Sequence, residues 1–228
     1  MLMFRKKIGI AVILLSVLSC APMFFGQAAF AQKAPKTAEE FSTRAGQYYK
    51  SQEYGKAIAD YTQALKLNPK DWVQLYNRGM SYYMSGENGK AIEDFTKALT
   101  INPKSYNVLE QRGEAYLASG DPDKAIADFN QALKLNPDTE FAYRKRGAAY
   151  LNSSVFGDPK LVYKAIADLS QAIKMNPNIP SSYVYRARCY NMTDDYAKAR
   201  ADVNKALQLN PNYQDAKVLD EQLRSSGR

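Results

Sequence analysis

The chain has 228 residues, 31 of them basic and 23 acidic, for a formal net charge of +8, and it contains no histidine. The lack of histidine removes the commonest general base, the commonest metal ligand and the usual near-neutral pH switch. Two cysteines cannot close a zinc site by themselves, and no glycine-rich phosphate loop is present, so no metal, no cofactor and no enzymatic activity is expected.

The N-terminal stretch MLMFRKKIGIAVILLSVLSCAPMFFGQAAFAQKAP places Arg5, Lys6 and Lys7 ahead of an apolar run with no charge until Lys33. Ala29-Phe30-Ala31 offers a small-x-small cleavage site. This reads as a secretory signal peptide over 1–31, cut after Ala31 and followed by a short linker at 32–37. Two alternatives use the same residues. Ile8 to Gln32 is long enough for an uncleaved membrane anchor. Val17-Leu18-Ser19-Cys20 resembles a lipoprotein cleavage site, with Leu18 a poor fit, and would tether the chain through Cys20. All three place the remainder outside the cytoplasm, with the periplasm as the expected compartment, because the basic flank stays inside. Contact with a membrane is expected only through that N-terminus.

Removing Arg5, Lys6 and Lys7 from the 31 basic residues leaves 28 against 23 acidic ones. So mild an excess is a weak case for nucleic acid as a partner. Without Cys20 only Cys189 remains, so no internal disulfide can form. A lone cysteine beside Tyr190 on an apolar helix reads as a small core residue.

One phrase then recurs five times: AIADYTQALKLNP at 57–69, AIEDFTKALTINP at 91–103, AIADFNQALKLNP at 125–137, AIADLSQAIKMNP at 165–177 and ARADVNKALQLNP at 199–211. The opening alanines step by 34, 34, 40 and 34 residues, so the unit is 34 residues with a six-residue insertion in the fourth. Ala125, Ile126, Phe129, Ala132, Leu133 and Leu135 recur at helical spacing. Asn-Pro then stops the helix, because proline lacks the amide hydrogen and disfavours helix in the residue before it. A second apolar pattern precedes each phrase, as in LYNRGMSYYMSG (75–86) and LEQRGEAYLASG (109–120). Gly86 and Gly120 punctuate the turn, and Asp121-Pro122 reads as an N-cap followed by a first-turn proline. Each unit is therefore helix–turn–helix.

These units resemble the tetratricopeptide repeat, whose pattern of a large apolar residue, then Gly, Tyr, Ala, an aromatic, Ala and Pro is met by Leu109, Gly113, Tyr116, Ala125, Phe129, Ala132 and Pro137. Leu75, Gly79, Tyr82, Ala91, Phe95, Ala98 and Pro103 repeat it. The resemblance runs over 38–213 in five units: 38–71, 72–105, 106–139, 140–179 and 180–213. It implies an all-α, right-handed superhelical solenoid. Residues 214–228 would cap its end through Ala216, Leu219 and Leu223. The insertion is expected to lengthen the turn and the second helix, leaving Val155 and Phe156 on a protruding loop, with the next helix starting at about Lys160.

One departure runs through all units. The slot before the Gly/Ala position holds Arg44, Arg78, Arg112, Arg146 and Arg186, and each second helix carries Asp60, Asp94, Asp128, Asp168 or Asp202. An arginine with a repeating acidic mate reads as a structural ion pair between the two helices.

The resemblance further implies that the first helix of each unit lines a concave groove that holds a protein or peptide. Its lining here would be Tyr49 in the first unit and Tyr76, Asn77, Met80, Tyr83 and Met84 in the second. Glu110 and Glu114 follow in the third, Phe141, Arg144 and Lys145 in the fourth, and Tyr185 and Arg188 in the fifth. The lining reads as graded from tyrosine and methionine through acidic to basic. Some members of the family grip a C-terminal carboxylate with a clamp of two lysines, two asparagines and an arginine. Asn77 fits one slot, but Ser42, Gly46, Asn107 and Gln111 occupy others, so that clamp is not reproduced. The function expected is a non-catalytic scaffold or adaptor outside the cytoplasm, with an envelope-assembly lipoprotein as the alternative.

Overall fold

The computed structural model describes residues 34–156 and 158–225. The expected signal sequence, its cleavage site and Cys20 lie outside them. Residues from Pro35 onward form one compact unit. Every regular element among the described residues is an α-helix: α1 (Ala38–Lys50), α2 (Tyr54–Leu67), α3 (Trp72–Met84), α4 (Asn88–Ile101), α5 (Tyr106–Ala118), α6 (Pro122–Leu135), α7 (Glu140–Phe156), α8 (Leu161–Met175), α9 (Pro180–Met192), α10 (Tyr196–Leu209) and α11 (Gln214–Ser225). None of these is long and apolar enough to cross a membrane. Each helix packs on its chain neighbour, giving a superhelical solenoid of helix pairs closed by α11.

The helix ends follow local chemistry. Thr37 and Glu40 form a capping box on α1, and Asp71 accepts from the amides of Val73 and Gln74 at 3.0 and 3.2 Å. Asp121 accepts from the Lys124 amide ahead of Pro122. Each second helix ends at an asparagine whose amide still reaches the alanine carbonyl four residues back, and the following proline ends the run. Between the paired helices one residue turns left-handed: Gln52, Gly86, Gly120 and Asp194 all have positive φ.

In the fourth unit that slot falls on Ser154, and the helix passes through it. The insertion is therefore not a protruding loop. α7 runs for 17 residues to Phe156, where the other first helices have 13. Ser154 is buried and its hydroxyl donates to the Leu151 carbonyl at 2.7 Å, while Ser153 Oγ reaches Asp123 at 3.3 Å. Ser154 stays helical where its counterparts turn left-handed, and the helix runs on to Phe156, ahead of Asp158-Pro159. α8 begins one residue after the expected Lys160.

Within each pair, a small residue on the first helix lies under a large one on the second. A Cβ built on Gly79 would come within 2.7 Å of the Phe95 ring, on Gly113 within 2.9 Å of Phe129, and on Gly147 within 2.7 Å of Leu169. Those glycines set the separation of the helices. Ala216, Leu219 and Leu223 of α11 are buried with Val184, Ala187, Val203 and Ala206, covering the last pair.

The arginines join more than two helices. Arg78 Nε and Nη2 reach Asp94 at 2.6 and 2.8 Å, and Nη1 reaches Thr62 Oγ1 of the preceding unit at 3.1 Å. Arg112 meets Asp128 at 2.8 and 2.7 Å and Thr96 at 3.1 Å. Arg146 holds Asp168 through two bonds of 2.7 Å and Asn130 through a third of 2.7 Å. Arg186 holds Asp202 at 2.8 Å twice and Ser170 at 3.0 Å. Arg44 makes the two bonds to Asp60, at 2.6 and 2.7 Å, with no earlier helix among the described residues to reach. The fork geometry uses the Nε/Nη2 edge of the guanidinium on the carboxylate and leaves Nη1 for the neighbour. Each arginine also lies over the tyrosine four residues on, at 5.8 to 5.9 Å, as with Tyr82 and Tyr190.

Candidate interaction groove

Successive first helices approach one another, α3 with α5, α5 with α7, α7 with α9 and α9 with α11, and no two second helices pack comparably. Helices on the inside of a curve are the ones that crowd together, so α1, α3, α5, α7 and α9 line the inner face.

At the N-terminal end that face holds a recess of about 180 Å³ walled by Tyr49, Tyr61, Tyr76, Asn77 and Met80. Tyr49, Tyr76, Asn77 and Met80 come from first helices. Tyr61 comes from α2, and its hydroxyl lies 3.8 Å from where a Gly46 Cβ would be, beside an inward slot that carries no side chain. Burial raises the phenol pKa of Tyr49, Tyr61 and Tyr76. Tyr76 also tilts against Phe95, with ring centroids 5.9 Å apart.

The middle of the face is a polar network. Glu114 Oε1 accepts from the Tyr83 hydroxyl at 3.2 Å and from Lys145 Nζ at 2.5 Å, joining three units. Burial, with Glu114 behind it, pushes the Tyr83 pKa up to about 12. Glu114 Oε2 is buried with no hydrogen-bond partner among the described residues. Glu110, one turn earlier, is only 6% exposed and accepts from Thr139 Oγ1 at 2.6 Å. Burial holds its carboxyl above the usual range, with Thr139 opposing and Glu140 adding to the effect.

Toward the C-terminal end Arg144 is neutralised by Glu140 at 2.8 Å and lies over Phe141, as does Lys145. Tyr185 is largely buried, and burial raises its pKa, with Glu114 adding and Arg144 and Arg188 opposing. Arg188 sits 4.0 Å from Asp215 with both side chains substantially exposed. Met84 is exposed at the rim.

The expected gradation from acidic to basic is therefore largely cancelled. Lys145 and Arg144 are tied to Glu114 and Glu140, and Glu110 is buried between α5 and the start of α7. A long basic side chain on a tight inner face meets the nearest carboxylate before it meets solvent. Ala148, Leu151 and Val184, which share the inward register, are also buried. The carboxylates meet no metal-like geometry: among the described residues no three of Cys, Asp and Glu could hold an ion. Cys189 is fully buried, and burial pushes its thiol up to about 12.

One feature escapes the repeat pattern. Tyr61 stands where Phe95 and Phe129 stand in other units, and its pairing with Gly46 was readable only by comparing both slots together. Thr62, Thr96, Asn130 and Ser170, which receive the third arginine bond, do recur two residues after each aspartate.

Models of the tetratricopeptide family match the sequence in overlapping stretches. One described as TPR repeat matches 46–86 and 113–153, and two described as tetratricopeptide repeat match 72–105 and, separately, 95–127 with 169–201. No curated protein matches the chain. Among solved structures it is similar to YrrB, a TPR protein with an unusual peptide-binding site, with a TM-score of 0.66, 19% identity, 81% of this chain and 92% of that one. MamA 41-end from Desulfovibrio magneticus RS-1 gives 0.70 at 17% identity, over 79% and 98%. TTC0263, a thermophilic TPR protein in Thermus thermophilus, gives 0.61 at 23% identity, over 82% and 98%. The period, the paired helices and these matches agree that the chain is a solenoid of tetratricopeptide repeats.

Proposed function

We propose that the chain is an exported, non-catalytic adaptor that holds a segment of another protein along its inner face. The observation that carries this reading is the half-open aromatic and methionine lining of α3, with the empty recess beside it. Tyr76, Met80 and Tyr83 are partly buried and remain available on one face, next to a gap that no side chain of the described residues fills. Tyrosine supplies area with a polar tip, and methionine adapts to an irregular surface. The carboxylates of the face already serve Lys145, Tyr83 and Thr139, which argues against a pair acting in acid–base chemistry. The similarity to a peptide-binding repeat protein is in keeping with such a role. Export rests on the basic start, apolar run and Ala29-Phe30-Ala31 of the sequence.

The test has two parts. Intact mass of the mature protein should give an N-terminus at Gln32, whereas a diacylated Cys20 would make it an envelope lipoprotein. Partners should be recovered by affinity capture from the native envelope and identified by mass spectrometry. Tyr76→Ala with Tyr83→Ala should then weaken the recovered complex at least about tenfold. Tyr163→Ala, an exposed site on the outer helix α8, should leave it unchanged. Equal affinities in the two variants would move binding off the inner face.

A further inference from the structure

The recess at the first two units is aromatic on most of its walls. Three tyrosines meet there, and none of their hydroxyls nor the Asn77 carboxamide has a hydrogen-bond partner among the described residues. Tyr61 is 5% exposed as a whole residue, and its hydroxyl, which has no hydrogen-bond partner among the described residues, stands at the recess 3.8 Å from where a Gly46 Cβ would be. Hydroxyls and a carboxamide that face a recess without a protein partner are open to a ligand group. At about 180 Å³ the gap is below the usual range for a small-molecule site and fits one side chain.

We propose that this recess receives a single lysine or arginine side chain from the bound protein segment. Met80 and the rings offer an apolar wall for the methylene stem. The ring faces, the phenol oxygens and the Asn77 carbonyl oxygen suit a cationic head. The Glu110 carboxylate acts on Tyr76, adding to burial and to Tyr49 in raising its phenol pKa. A carboxylate in the recess would meet that negative charge, whereas a cation would be drawn to it. The proposal rests on the inner face being the docking face, and it goes further by naming what the partner must present there.

The experiment uses the full chain with 13C-labelled tyrosine and three blocked pentapeptides that differ only at the centre: lysine, norleucine or glutamate. The lysine peptide should shift the resonances of Tyr49, Tyr61 and Tyr76 saturably, at least about tenfold more tightly than norleucine, with glutamate weakest. Gly46→Leu, which grows into the gap, should abolish the shifts. Tyr61→Phe, which keeps the ring and removes the hydroxyl, should weaken them severalfold, with helix content and melting of both variants checked by circular dichroism. Norleucine binding as tightly as lysine, preference for glutamate, or no shift of these three rings by the lysine peptide would each overturn the proposal. The adaptor reading is judged separately, by the Tyr76 and Tyr83 variants against the native partner, and survives failure of the peptides.

Discussion

Replacing Arg112 by alanine tests the ladder at its middle unit, where the pair is largely enclosed. Arg112 makes two bonds to Asp128 and a third to Thr96, and the Asp128 side chain is 6% exposed. Asp128 has no other hydrogen-bonding side chain among the described residues, so truncation strands a buried carboxylate. Breaking a buried pair in this way costs about 3–5 kcal/mol. At roughly 2–4 °C per kcal/mol for a chain of this size, the melting point should fall by about 6–20 °C. Because each repeat touches only its neighbours, hydrogen exchange should accelerate in α4, α5 and α6 and stay near its original rate in α9 to α11. Arg44→Ala should cost much less, since Arg44 is 31% exposed and has no preceding described unit to bind. Removing both charges, as Arg112→Met with Asp128→Leu, should recover most of the loss. A single-variant cost below about 1 kcal/mol, or a double variant no better than the single one, would refute the view that burial makes these pairs decisive.

Other expectations follow from single positions. Gly113→Ala puts a Cβ 2.9 Å from the buried Phe129 ring, so overpacking of about 1–3 kcal/mol should outweigh the gain of about 1 kcal/mol in helix propensity, as denaturant unfolding would show. Gln52→Gly should stabilise by up to about 1 kcal/mol, since Gln52 holds a left-handed φ that its counterparts Gly86 and Gly120 adopt freely. Cys189 should resist thiol reagents until the chain unfolds. Its folded pKa of about 12 lies above the unfolded value of about 8.5, so it keeps its proton while the unfolded thiol loses one. Stability should therefore be full below about pH 8.5 and decline as pH rises toward 12, and Cys189→Ala should flatten that decline. Deleting 153–157 should lower the melting point, because Ser153 and Ser154 are buried against neighbouring elements.

What could be read from the sequence was what recurs. The helices, their Asn-Pro stops and the arginine–aspartate pairs appear in every unit, so a single chain supplies its own comparison. The extension of α7 was hidden because its signal is an absence: Ser154 sits where other units have a residue that turns left-handed. Charge pairing across the groove was hidden for a different reason. Glu114 and Lys145 lie in different units and meet once only, so no period announces them, and the inner face looked more charged than it is. The recess needed two departures at once, Gly46 on one helix and Tyr61 on the next, and each alone looks like ordinary variation.

The third bond of each arginine has a direction. Nη1 always reaches backward, to the unit before, and this gives the stack a grammar of extension with distinct first and last words. At the start, Arg44 Nη1 meets no acceptor among the described residues, so a helix added there would need only a hydroxyl or amide in the slot of Thr62 to be joined. At the other end Asn204 stands in that slot, yet the residue that should reach it is Asp220, bound to Arg224 of its own helix at 2.8 Å. Placing an acid where the series requires a base ends the sentence there. A unit stacked on α11 would therefore lack the backward bond that joins the others.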